Sequence, residues 1–129
     1  MTRFLVLLVS VVLLAMTPLS AQDIFAPMKD ALKAGNGKEL VKNFNVSVDM
    51  NMDGDVKTYS KAQAEFVLKD FFKKHPVTDF SIVHTGSSKG GLQFAIGRYL
   101  SNTESYNVLI RVKEVQGVFL VHEINFVKE

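Results

Sequence analysis

Cysteine and tryptophan are both absent from this 129-residue chain. With no thiol there is no disulfide, no thiolate nucleophile and no sulfur ligand for a metal. The fold has to stand on its hydrophobic core alone. Charge of one sign is missing as well: the formal net charge is +2, and no run of lysine or arginine is longer than two residues. Nucleic acid calls for a concentrated basic surface, so the sequence offers that partner no footing. Histidine is scarce. His75, His84 and His122 share no metal-ligand spacing, and the reading expects no metal and no cofactor.

What is present begins with an export signal. Arg3 precedes the uncharged apolar run Phe4–Met16, and TPLSA follows with small Ala21 at its end. The run is shorter than the ~20 residues of a bilayer-spanning helix. The expectation is a signal peptide over 1–21, cleavage after Ala21, and a single domain over 22–129. The protein is then exported to the periplasm or the medium, with no stable membrane insertion after cleavage. The remaining length suits one domain and not two.

Ile24, Phe25, Met28, Ala31 and Leu32 recur at helical spacing after Asp23, and Gly35-Asn36-Gly37 stops them. Leu40, Val41 and Phe44 mark a second short helix. The period then falls to two: Val46, Val48, Met50 and Met52 alternate with polar residues, Asp53-Gly54 turns, and VKTY returns as a strand. Ser60 and Gln63 form a capping-box pattern ahead of the stripe Ala64, Val67, Leu68, Phe71 and Phe72. Lys73, Lys74 and His75 suit the negative end of that helix, and Pro76 ends it. Four strands follow, near 78–85, 92–101, 106–114 and 118–127.

At the last hairpin a three-residue loop, Val115-Gln116-Gly117, pairs Val112 with Leu120, Ile110 with His122, Val108 with Ile124 and Tyr106 with Phe126. That register gives one continuous apolar face. By the same alternation the helix-facing side carries Phe80, Ile82, His84, Leu92, Phe94, Ile96, Arg98 and Leu100. The opposite side carries Val83, Ala95, Gly97, Tyr99, Leu109 and Val121 among polar residues, and is more apolar than a solvated sheet face usually is.

The element order and the segments YSKAQAEFVLKDFF, HTGSSKGGLQFAIG and FLVHEINF give the chain a family likeness. It resembles the nuclear transport factor 2-like superfamily, also called cystatin-like α+β cones, and within it a domain of unknown function in small exported bacterial proteins. The resemblance covers essentially the whole chain after the leader. It implies an α+β domain in which a highly curved, mainly antiparallel sheet wraps an N-terminal helix pair and one long helix. It also implies a pocket at the wide end of the cone and dimers through the outer sheet face.

GSSKGG, residues 86–91, lacks both the spacing of a phosphate loop and a following helix, since LQFAIGRYL alternates like a strand; it reads as a strand connection. NMDGDVKTYSKA fails as a calcium loop, with no glycine at position six and Ala62 at position twelve. Asn45-Val46-Ser47 fits a glycosylation acceptor by chance. Enzymes of the superfamily place an Asp or a His–Asp pair inside the cone. Here the strand carboxylates Asp49, Asp79, Glu114 and Glu123 fall outward or at strand ends, so no catalytic residue is assigned. The expected pocket carries Arg98, His84, Tyr106 and His122, with Tyr59 beside them. The function this supports is an exported, non-enzymatic binding module. It would hold a small apolar acid with its head on Arg98, or a protein partner on the outer sheet face. A homodimer through Tyr99, Leu109 and Val121 is a further expectation. The alternative is a small lyase or isomerase using His84 or His122 as its pocket histidine.

Overall fold

Local signals set the helix ends. In the computed structural model, which describes residues 23–129, α1 spans Ala26–Ala34 and α2 spans Gly37–Val41. The leader expected at 1–21 lies outside the described residues. The Asp23 carboxylate accepts from the Phe25 amide at 3.0 Å, and Gly35 closes α1 in the left-handed conformation (φ 63°). Asn36 caps α2 by accepting from the Glu39 amide at 3.1 Å. The long helix, α3, runs Lys61–Lys74 with the full capping box of Ser60 and Gln63.

The strands are β1 (Phe44–Met52), β2 (Asp55–Ser60), β3 (Asp79–Ser87), β4 (Leu92–Ser101), β5 (Glu104–Val115) and β6 (Val118–Lys128). They form one curved sheet in the order β2-β1-β6-β5-β4-β3, antiparallel except where β1 lies parallel to β6. Asp53 and Gly54, both at positive φ, make the tight turn between β1 and β2. Residues 88–91 join β3 to β4, as expected of a strand connection. The α+β architecture of a curved, mainly antiparallel sheet around an N-terminal helix pair and one long helix is therefore present. No helix among the described residues is long and apolar enough to cross a membrane.

Two parts of the expected face assignment are corrected. On β4 the inner side carries Ala95, Gly97 and Tyr99, whereas Phe94, Ile96 and Leu100 are half-buried on the outer side and Arg98 is exposed there. The reason is volume. The Phe80 ring lies over Gly97, where an added Cβ would come within 2.4 Å of its Cζ. Beneath Phe80 this strand has room for glycine alone, with Ala95 beside it and Tyr99 beyond, and that fixes which side faces the core. Hydropathy ranks the two sides the other way.

The second correction concerns register. The β5–β6 hairpin has a two-residue loop, Gln116-Gly117, with Val115 opposite Val118. Both loop residues have positive φ, 51° and 82°. The register then shifts between Val112↔Val121 and Arg111↔Glu123, leaving His122 as an extra residue. This bulge lets Val121 point inward and still brings Ile110 opposite Ile124 and Val108 opposite Phe126. A second bulge, at Val83 in β3, turns His84 away from the core.

The core is continuous. Met28, Leu32, Leu40, Leu68 and Phe72 from the helices meet Met50, Phe80, Tyr99, Val108, Ile110, Ile124 and Phe126 from the sheet. Phe71 forms an aromatic hub over its end, with ring centroids 4.7 Å from Phe126, 5.2 Å from Tyr106 and 5.4 Å from Tyr99.

Candidate functional site

The polar groups that come together do so at the C-terminal end of α3. His75 follows the last helical residue, and its backbone amide donates to the Phe71 carbonyl at 2.8 Å. Its own carbonyl accepts from the Tyr99 hydroxyl, which fixes the helix end against β4. The tight turn at Asn102-Thr103 then brings Glu104, the first residue of β5, back toward it. Glu104 Oε2 lies 2.8 Å from His75 Nδ1 and accepts from the Tyr106 hydroxyl at 2.7 Å. Tyr106 Oη is 3.2 Å from the same imidazole nitrogen, and Lys128 Nζ is 3.4 Å from Glu104 Oε1. Carboxylate, phenol and imidazole thus share one small network.

The electrostatics follow from these contacts. The Tyr106 hydroxyl donating to Glu104 holds that carboxyl below its ordinary value, with Lys128 and His75 adding to the effect. Burial pushes the Tyr106 hydroxyl up to about 12, and the Glu104 charge adds to it. Tyr99 is raised as well, by burial first and then by Tyr106. Both phenols are therefore neutral donors across the ordinary pH range.

His75 also borders a cleft of about 290 Å³ between α3 and the β1–β2 hairpin, walled by Met52, Tyr59, Val67 and Phe71 and edged by Asp55, Asp70 and Lys74. Lys74 is engaged by Asp70 at 3.0 Å. The Nδ1 side of the His75 ring is taken up by Glu104 and Tyr106. The lining holds two carboxylates, Asp55 and Asp70, against one ammonium group, Lys74, with Asp55 also 3.7 Å from Lys57. Such a set can hold an N–H donor against an aromatic wall.

Of the residues expected in the pocket, Tyr59 lines this cleft and Tyr106 is buried behind His75. Arg98 is not in the interior. It points outward and pairs with Glu129 at 3.2 Å, because its neighbours Gly97 and Tyr99 take the core side of β4. That removes the residue on which an acid-binding interior rested. His84 is exposed beyond the Val83 bulge, with its ring 5.8 Å from that of Phe94. His122 is the bulged residue of β6, and its Nε2 is shielded without a hydrogen-bond partner among the described residues. Neither His84 nor His122 lines the cleft at the end of α3. Of the expected dimer residues, Tyr99 and Val121 are in the core and only Leu109 faces outward.

The sequence reading missed the pairing of His75 with Glu104. It treated His75 as a helix-end residue and left Glu104 out of the strand carboxylates. The available signal was the β4–β5 turn, whose tightness returns the chain to the end of α3.

The family model described as a domain of unknown function (DUF4783) matches residues 25–127. A crystal structure of a DUF4783 family protein from Bacteroides ovatus is 28% identical, with a TM-score of 0.79, covering 84% of this chain and 98% of that one. One from Bacteroides uniformis is 27% identical with a TM-score of 0.75, over 80% of this chain and 94% of that one. An NTF2-like protein of unknown function from Shewanella baltica shares the fold at 11% identity, with a TM-score of 0.64 over 83% of this chain and 89% of that one. No curated protein matches the chain. With a family match over nearly all the described residues and this likeness of fold, the chain belongs to the DUF4783 family and has an NTF2-like architecture.

Proposed function

We propose that this chain is an exported, non-catalytic binding module whose ligand site is the cleft at the C-terminal end of α3. The observation that carries the reading is the convergence of His75, Glu104 and Tyr106 beside an open cleft, while the rest of the inner face is packed. A few fixed polar groups at the edge of an apolar concavity are the usual makings of a small-molecule site. The ligand class follows from the acceptors. Two carboxylates, Asp55 and Asp70, against the single Lys74 of the lining favour a small molecule with a basic nitrogen, and Tyr59, Phe71 and Met52 offer its apolar body a wall. This replaces the apolar acid, for which Arg98 is no longer placed. Export rests on the sequence of residues 1–21 and is part of the proposal.

Benzylamine and benzoate differ mainly in the sign of the head group and so test the reading as a pair. In an NMR titration of the chain from Gln22, benzylamine is expected to shift the signals of Tyr59, Phe71 and His75. Benzoate at the same concentrations should leave them in place. If benzoate moves those signals as far as benzylamine does, or neither moves them, the ligand class is wrong.

A further inference from the structure

We propose that the face formed by α2 and the first turns of α3 docks this protein reversibly on an anionic phospholipid surface. Phe66 would enter the interface while Lys38 and Lys61 meet the headgroups. Phe66 is 76% exposed, an unusual position for a large aromatic ring on a helix that has a core to bury it in. It lies one turn beyond Ala62 and shares a helix face with it. Ala62 in turn borders a groove of about 400 Å³ lined by Lys38, Val41, Lys42, Lys61 and Glu65. Val46, 81% exposed, precedes the Ser47 that pairs with Ser60 at the start of α3, so it belongs to the same end of the molecule.

Charge supplies the second, independent observation. The two acids on this face are already occupied, Glu39 by Lys42 at 2.7 Å and Glu65 by Lys69 at 2.8 Å. Lys38 and Lys61 make no ion pair among the described residues. The face therefore presents uncompensated positive charge around apolar groups that stand clear of the surface. An acidic peptide lying in the groove would leave Phe66, which is not part of its lining, in water. Here the largest apolar group projects, as an interfacial anchor does, and lysine stems can lie along the headgroup boundary with their ammonium groups in water. One aromatic ring and a few lysines give weak, salt-sensitive attachment.

The sequence has no tryptophan, so Phe66→Trp places a single fluorophore on an exposed site. With the chain from Gln22, emission should move to the blue on adding vesicles of phosphatidylcholine mixed with phosphatidylglycerol. Phosphatidylcholine alone should produce no change. Adding Lys38→Glu and Lys61→Glu should weaken binding by roughly tenfold or more. Unlabelled wild type should sediment with the anionic vesicles, and Phe66→Ser, with unchanged melting, should stay in solution. Equal affinity for both kinds of vesicle, or sedimentation of Phe66→Ser as complete as that of wild type, would overturn the proposal. So would a blue shift with soluble polyglutamate and none with vesicles, which would give the face to an acidic peptide.

Discussion

Gly97 shows most plainly how one residue constrains the sheet. Its missing side chain is the space occupied by the Phe80 ring, and the Ser81 carbonyl oxygen also lies within 3.0 Å of where a Cβ would sit. Gly97→Ala should therefore destabilise the protein by about 1–3 kcal/mol through overpacking. Equilibrium unfolding in urea checks this, and an unchanged midpoint would mean that Phe80 is free to move aside. Glu104 makes a second prediction at the same scale. Its carboxyl is held below the ordinary value of 4.5, so its contribution is fully present above that pH and is lost as pH falls through the lower folded value. Melting temperatures should fall more steeply below about pH 4.5 for wild type than for Glu104→Gln. Tyr106, raised to about 12, acts at the other end. Its contribution is present below the ordinary value of 10.0 and is lost as pH rises toward about 12.

Among the elements, the β5–β6 hairpin best separates what sequence can say from what it cannot. Alternation of apolar residues places both strands. A two-residue loop carried on without interruption would set Glu123 opposite Ile110. The chain solves that conflict inside the strand, with the extra residue at His122. A bulge has no residue signature of its own here, so the pattern alone does not locate it. Gly117→Val should still cost on the order of 1–3 kcal/mol, because φ of 82° strains any β-branched residue. A thermal melt of the variant indistinguishable from wild type would contradict this turn geometry. Elements with explicit local chemistry fared better. The Ser60–Gln63 capping box and the Asp53-Gly54 turn lie where the residues indicate. The face of β4 did not follow, since its choice depends on the volume available beneath Phe80 and hydropathy does not measure volume.

At the scale of the whole molecule, the open sheet curves over its helices with aromatic and aliphatic side chains on the inner face. One cleft opens at the end of α3, where a helix terminus, a hairpin turn and the first residue of β5 meet. None of those three is a motif, which is why the likeness of sequence to a fold was legible while the site was not. The expected pocket sets Tyr59 and Tyr106 with Arg98 in the interior; their meeting with His75 and Glu104 needs the tertiary path of the chain. We propose that this cleft receives a small basic molecule in an exported protein. Native mass spectrometry of the protein recovered from the cells that make it, beside a Tyr59→Ala variant, is the decisive measurement. The expected result is a chain beginning at Gln22 carrying a small ligand with a basic nitrogen, and loss of that ligand in the variant. A ligand-free chain, or one carrying an acid that the variant retains, would contradict it.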